Sequence, residues 1–253
     1  MPNLPDLFDL SGKVALVTGG SRGLGRQMAL AFADAGADIV IASRKLDECE
    51  KAAKEVEAKG RRALPVAAHV GYWDQCDQLI DRVYDRFGRL DILVNNAGMS
   101  PLYESLVSVP EALFDKVIDV NLKGPFRLMA YGGHRMAQGD GGSIINISST
   151  AAIRPTTRET AYSAAKIGLN NLTVAFAHEY GPKVRVNCIM AGPFLTDISK
   201  AWDMEEFNAR AQERFALGRG GQPEEIIGAA LYFASAASSF TTGAVLPVDG
   251  GGS

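Results

Sequence analysis

Two hydrophobic periods alternate along the chain. Short aliphatic or β-branched runs occur at Val14–Val17, Ile39–Ala42, Ala63–Ala67, Ile92–Val94, Ser143–Ile147, Arg185–Ile189 and Ala244–Val248. Such runs predict strands buried on both faces. Between them, Leu24–Ala35, Lys45–Lys59, Gln75–Phe87 and Pro223–Ala234 space their apolar residues at i, i+3 and i+4, the stripe of an amphipathic helix. The alternation predicts an α/β fold, a Rossmann-type doubly wound parallel sheet of about seven strands with helices on both faces. No linker, repeat or low-complexity segment interrupts it, so residues 1–253 read as a single domain. One stretch departs from the pattern. Residues 194–216, FLTDISKAWDMEEFNARAQERFA, insert helical material before the last helix–strand unit, as a lid or substrate loop would. Trp202 and Phe207 within it are expected to pack the insertion onto the body more readily than to touch a substrate.

Composition narrows the function classes. Hydrophobic residues make up 47% of the 253 and charged residues 22%, ordinary for a globular chain with a sizeable core. A net charge of −3, with no basic run longer than Arg61–Arg62, argues against a nucleic-acid partner. The opening MPNLPDLFDLSGK does not read as a signal peptide, and no apolar run is long enough for a membrane span. Cys49, Cys76 and Cys188 are far apart and form no CxxC, and His69, His134 and His178 are equally scattered. Neither a disulfide framework nor a metal site is expected. The reading is a cytoplasmic, metal-free protein.

The stretch ALVTGGSRGLGRQMALAF, residues 15–32, reads as strand, tight turn and helix. Gly19, Gly23 and Gly25 let backbone N–H groups approach a phosphate, and the following helix offers its positive N-terminus to a pyrophosphate. This is a dinucleotide-binding turn in the expected strand–turn–helix context. The second strand ends IVIASRK. Ser43 stands where an acidic residue would accept the ribose hydroxyls of NAD, Arg44 follows it, and Arg22 lies within the turn. Two guanidiniums and a hydroxyl suit a 2′-phosphate, so NADP(H) is expected in preference to NAD(H). Further on, AYSAAKIG places Tyr162 and Lys166 one helical turn apart, on one face. An ammonium beside a phenol favours the phenolate and lowers a pKa ordinarily about 10, so the pair suits a general acid–base.

These segments together resemble the short-chain dehydrogenase/reductase family of the classical type, over nearly the whole chain. TGGSRGLG at 18–25, NNAG at 95–98, VNLKGPF at 120–126, SIINISST at 143–150, the Tyr162-x-x-x-Lys166 pair and VDGG at 248–251 follow the family's order and spacing. The resemblance implies hydride transfer between a nicotinamide and a ketone or secondary alcohol, with Asn121, Ser149, Tyr162 and Lys166 as catalytic residues. The family's usual 13-residue interval before the tyrosine selects Ser149 over Ser148. The implied cofactor contacts are Gly19, Ser21, Arg22, Gly23, Leu24 and Gly25 in the turn, Ser43 and Arg44 after the second strand, and His69 and Val70 after the third. They continue with Asn95, Ala97 and Gly98 after the fourth strand, Tyr162 and Lys166, and Gly192, Phe194 and Thr196 after the sixth. Two departures stand out. His69 replaces an aspartate that often contacts adenine, and Ala191-Gly192-Pro193 replaces the usual Pro-Gly where the backbone meets the nicotinamide amide.

A small carbonyl or alcohol substrate and a homotetramer are further implications of the resemblance, and 3-oxoacyl thioesters, sugars, steroids and other ketones stay open as substrates. Two alternatives compete. A non-catalytic cofactor sensor on the same scaffold should have lost the tyrosine or the lysine, yet both are present. An epimerase of the extended branch needs a larger C-terminal domain than the roughly 57 residues after Thr196 allow.

Overall fold

The computed structural model describes residues 3–197, 199 and 202–252. A short helix α1 (Leu4–Phe8) precedes β1 (Val14–Thr18), α2 (Gly23–Asp34), β2 (Asp38–Ser43), α3 (Leu46–Ala58), β3 (Ala63–Ala67), α4 (Trp73–Phe87) and β4 (Ile92–Asn95). Then come α5 (Glu111–Ile118), α6 (Gly124–Gln138), β5 (Gly142–Ser149), α7 (Thr160–Tyr180), β6 (Val184–Ala191), α8 (Met204–Arg214), α9 (Ile227–Ala234) and β7 (Val245–Val248). Among the described residues the strands form one parallel sheet in the order β3-β2-β1-β4-β5-β6-β7. The chain reverses its direction of travel across the sheet between β1 and β4, so a crevice opens beyond their carboxyl ends.

Alternate side chains on each strand feed separate cores. Val17, Ile39, Ile41, Val94 and Ile145 pack against Met28 and Phe32 of α2, Val56 of α3 and Phe233 of α9. Leu16, Val40, Leu93, Ile144 and Val186 face the other way, onto Leu79, Ile80 and Val83 of α4, Leu128 and Met129 of α6 and Leu169 and Phe176 of α7. The expected seven-stranded, two-faced architecture is therefore present. Strands β5 and β6 extend two residues beyond the apolar runs, because Ser148 and Ser149 stay in register with Met190 and Ala191. Polar side chains at a strand's end hide this pairing from a hydrophobicity pattern. The final expected helix is divided: Pro223–Ile226 is a 3₁₀ turn with a capping box from Gln222 and Glu225, and α9 follows it.

The insertion expected at 194–216 includes Ile198, Lys200 and Ala201, which lie outside the described residues. In its described part, Asp203 caps α8 by accepting the Glu205 and Glu206 amides, each at 3.0 Å. Phe207 is buried, and Trp202 lies against it with ring centroids 5.0 Å apart. The Phe207 ring turns in against Gly220, where an added Cβ would meet it at 3.0 Å.

Asp38 opens β2 as a carboxylate only 3% exposed. It accepts the Arg62 amide at 2.9 Å and two guanidinium bonds from Arg62 at 2.6 and 2.8 Å, and Arg61 lies 3.3 Å away. Desolvation pushes its pKa up, but the Arg62 hydrogen bonds and the charges of Arg62 and Arg61 outweigh that and hold it below 3.8. The stabilisation is thus present above the unfolded value and lost as pH falls through the lower folded value. Asp38→Asn is expected to cost about 1–3 kcal/mol at pH 7. In urea titrations the difference from wild type should shrink as pH is lowered past about 3.8. A constant difference down to pH 2 would contradict this account.

Candidate active site

The glycine turn is shaped by crowding. Gly19 and Gly23 have φ of 64° and 53°, the left-handed region that side chains avoid. A Cβ on Gly25 would stand 2.3 Å from the Gly19 carbonyl oxygen, so the turn and the start of α2 close only around glycine. No side chain caps α2 and its first turn has no acidic residue, which leaves its amides and positive end open to an anion. On the opposite wall, Thr196 would lie 3.7 Å from a Cβ placed on Gly23.

Two residues absent from the expected set brace this turn. The Thr18 hydroxyl donates to the Val94 carbonyl at 3.1 Å and accepts the Asn96 and Ala97 amides at 3.0 and 3.1 Å. Asn96 Nδ2 donates to the Thr18 and Gly19 carbonyls at 2.9 and 3.3 Å. Both lie inside the motifs TGGSRGLG and NNAG, so their position beside the glycines was the available signal. The Asn95 side chain, by contrast, does not face the turn. It donates to Asn146 Oδ1 at 2.9 Å inside the core, where Asn146 in turn donates to the Thr173 hydroxyl at 2.9 Å. Neighbouring residues of a strand point to opposite faces, which is why Asn96 and not Asn95 supplies the brace.

At the end of β2, Ser21 and Ser43 hydroxyls meet at 3.1 Å, joining the turn to the strand. Arg22 and Arg44 flank them, both exposed, with no carboxylate partner among the described residues. His69 accepts the Gly71 amide on Nδ1 at 3.1 Å, which puts its neutral-form proton on Nε2. Burial, then the Arg44 charge, hold its pKa below 6.5, so it is a neutral donor near pH 7. Val70 is buried beside Gly124, where a Cβ would reach within 2.2 Å of the Val70 carbonyl. Leu24 and Ala97 are partly buried against the cores, while Phe194 is buried among Ile189, Ala191 and Phe233. Gly192 fits against Asp249 without room for a Cβ, which would lie 2.6 Å from the Asp249 Cα.

The carboxyl ends of β4 and β5 gather the remaining groups. A Cβ on Gly98 would lie 2.9 Å from Asn121 Oδ1 and 3.7 Å from Lys166 Nζ, so these three converge. Asn121 sits in a π-helical turn, Asp119–Lys123, between α5 and α6. Its Nδ2 donates to the Val117 carbonyl at 2.9 Å and to the Met99 carbonyl at 2.8 Å in the loop after β4, and its Oδ1 accepts the Met99 amide at 3.3 Å. Ser148 is buried and donates to the Lys166 carbonyl at 3.1 Å. Ser149 instead caps the 3₁₀ turn Thr150–Ala152, its oxygen accepting the Ala151 amide at 3.2 Å, which leaves its proton free to donate. That hydroxyl faces Tyr162.

The Tyr162–Lys166 pair differs from expectation in one respect. Lys166, 3% exposed, directs Nζ to the Ile147 carbonyl at 2.8 Å and lies 5.5 Å from the Tyr162 ring centroid. Burial lowers the Lys166 pKa from 10.5 to about 8. Burial likewise raises Tyr162 to about 12, against the pull of the Ser149 hydroxyl and with a small addition from the Glu159 carboxylate. Desolvation therefore dominates, and the protein alone holds the phenol protonated.

A family model described as Enoyl-(Acyl carrier protein) reductase matches residues 19–253. The chain is 38% identical to the short chain dehydrogenase/reductase astE of Aspergillus oryzae, with 96% of each covered. It is 37% identical to the 2-dehydro-3-deoxy-D-gluconate 5-dehydrogenase of Escherichia coli, again with 96% of each covered. This chain is a short-chain dehydrogenase/reductase. The crystal structure of a 3-oxoacyl (acyl-carrier-protein) reductase of Agrobacterium tumefaciens with NADP bound superposes with a TM-score of 0.92 at 31% identity, covering 98% of this chain and 97% of that one. As a short-chain dehydrogenase/reductase it is an NAD(P)-dependent enzyme acting on CH–OH groups. No described helix is long and apolar enough to cross a membrane.

The buried ammonium has a measurable consequence. Below about pH 8 both folded and unfolded states carry the Lys166 proton and the burial penalty is full; it lifts as pH rises from about 8 towards 10.5. Lys166→Met is expected to abolish turnover yet stabilise the fold by about 1–3 kcal/mol at pH 7. In urea unfolding that advantage should diminish by pH 10. A less stable variant at pH 7 would contradict the sign.

Proposed function

We propose that this enzyme reduces a ketone to a secondary alcohol with NADPH, with Tyr162 as the proton donor. The observation that carries the reading is the Ser149 hydroxyl, held by the Ala151 amide and hydrogen-bonded toward a Tyr162 that the protein keeps protonated. The nicotinamide, when bound, supplies the hydride. Ser149 donates to the substrate oxygen and orients the carbonyl. Tyr162 passes its phenolic proton to that oxygen as the carbon becomes tetrahedral. Lys166 holds a positive charge one turn along α7, steadies the phenolate that results and reaches the nicotinamide ribose. Asn121, beside Lys166, holds water for the return of the proton. A resting phenol is an acid in waiting, which favours the reductive direction; the reverse reaction needs added positive charge to form the phenolate.

Arg22 and Arg44, which have no carboxylate partner among the described residues, stand around the Ser21–Ser43 hydroxyls and support NADP(H) over NAD(H), since two guanidiniums suit a 2′-phosphate. The NADP-bound relative is in keeping with this. The backbone amides of the turn, Gly19 to Gly25, hold the pyrophosphate. Residues 1–253 act as one cofactor-binding domain, with the 194–216 insertion over the substrate. We further infer a homotetramer at work in the cytoplasm. Ala164, Ile167 and Val174 leave one face of α7 apolar and exposed, which suits packing against another copy.

Tyr162→Phe is expected to lower kcat about 10²- to 10⁴-fold while NADPH still binds, measured by single-turnover kinetics and cofactor fluorescence. Retention of more than about a tenth of the rate would remove Tyr162 from the mechanism.

Wild type should prefer NADPH to NADH by about 10- to 1000-fold in kcat/KM. Ser43→Asp should reverse much of the preference, by repelling the phosphate and accepting free ribose hydroxyls. Arg44→Ala should weaken NADPH use alone. Equal use of the two cofactors by wild type would mean that the arginines are only surface charges.

A further inference from the structure

The loop after β4 is bound to the start of α7 by three hydrogen bonds. Ser100 Oγ donates to Glu159 Oε2 at 2.8 Å, and the Tyr103 amide donates to the Arg158 carbonyl at 3.2 Å. The third runs the other way: the Ala161 amide donates to the Tyr103 phenol oxygen at 3.2 Å. The first amides of a helix have no intrahelical acceptor and are ordinarily met by the side chain at the cap position. In α7 that residue is Glu159, and it makes no capping bond. Its carboxylate is engaged by Ser100 instead. A phenol 58 residues earlier in the chain takes the role.

The place of this cap matters for chemistry. Ala161 immediately precedes Tyr162, and both lie in the first turn of α7. An α-helical residue so near the N-terminus is held by its carbonyl side alone, because its own amide finds no partner four residues back. The Ser163 amide, bonded to the Glu159 carbonyl at 3.0 Å, is the first whose partner is four residues back. Without an outside acceptor the Thr160–Ala161 peptide, the unit just ahead of the one that carries Tyr162, could tilt, and a phenol at the end of a long lever from the next Cα would swing with it. Proton transfer depends on the phenol oxygen standing within hydrogen-bond reach of the substrate oxygen, and small displacements cost rate steeply.

We propose that Tyr103 is a positioning residue for proton transfer. By capping α7 at Ala161 it fixes Tyr162 opposite Ser149 and ties that alignment to the loop after β4. The inference rests on the reading of Tyr162 as the proton donor. It predicts a split between rate and binding, because the cap touches neither the cofactor turn nor the substrate oxygen.

Tyr103→Phe keeps the ring and removes the acceptor. Expected are a fall in kcat of about 3- to 30-fold, NADPH Kd and substrate KM within about twofold of wild type, and faster amide exchange in the peptide covering 159–163. Thermal melting alongside verifies that the variant is folded. Faster exchange with unchanged kcat overturns the positioning role, and slower turnover with unchanged exchange overturns the cap as its cause. A rise in KM alone, with kcat intact, makes Tyr103 a substrate wall and likewise overturns the proposal. Hydrogen exchange is read without substrate, so the two levels of inference separate. A wild type that reduces no ketone fails the functional reading and the proposal together, even where exchange quickens; an active wild type with an unaltered Tyr103→Phe fails this proposal alone.

Discussion

A single ammonium in a dry place sets the terms for this site. Lys166 is long enough to reach water elsewhere, but α7 directs it beneath the ends of β4 and β5, where, among the described residues, the Ile147 carbonyl alone accepts from it, at 2.8 Å. Charge without water is costly, so the pKa drops to about 8. The same dryness raises the neighbouring phenol. On the proposed reading of Tyr162 as proton donor, the pair is poised by desolvation and a bound cofactor's charge enters its acid–base balance. Low permittivity also means that any charge brought near will act strongly.

Holding that arrangement in place is the business of groups that do no chemistry. Thr18 and Asn96 lock the glycine turn to the end of β4 through five hydrogen bonds. The side chain of Asn121 ties the π-helical turn between α5 and α6 to the loop after β4, beside Lys166. Each brace joins segments more than twenty residues apart in sequence, and each ends within a residue or two of a group expected to meet cofactor or substrate.

Much of this was legible because it is local. The alternating periods located every strand to within two residues, and the spacing of Tyr162 and Lys166 followed from one turn of helix. Spacing singled out Ser149, and in the fold the two serines point apart, Ser148 being buried against the Lys166 carbonyl. What a linear reading missed needs distance in the fold. Asn95 and Asn96 look interchangeable in NNAG, and only strand alternation sends one inward and the other to the turn. The direction of the Tyr162 shift was misjudged because helical spacing reveals a nearby charge but not the loss of solvent around both partners. Tyr103 carried no sign of its partnership with Ala161, since nothing in its own neighbourhood specifies the end of a helix.

The inward asparagine has a consequence for how the sheet assembles. Asn95, Asn146 and Thr173 form a polar thread through an otherwise aliphatic layer, with one Asn95 oxygen left unmatched. Parallel strands of branched aliphatics resemble one another, and a chain rich in them could pair out of step. Amides are less forgiving. A slip of one residue between β4 and β5 would set Asn146 opposite Val94 and strand both amides among hydrocarbon. The thread thus acts as an alignment pin: it gives up some cohesion at the centre so that only one pairing of the strands keeps the amides together.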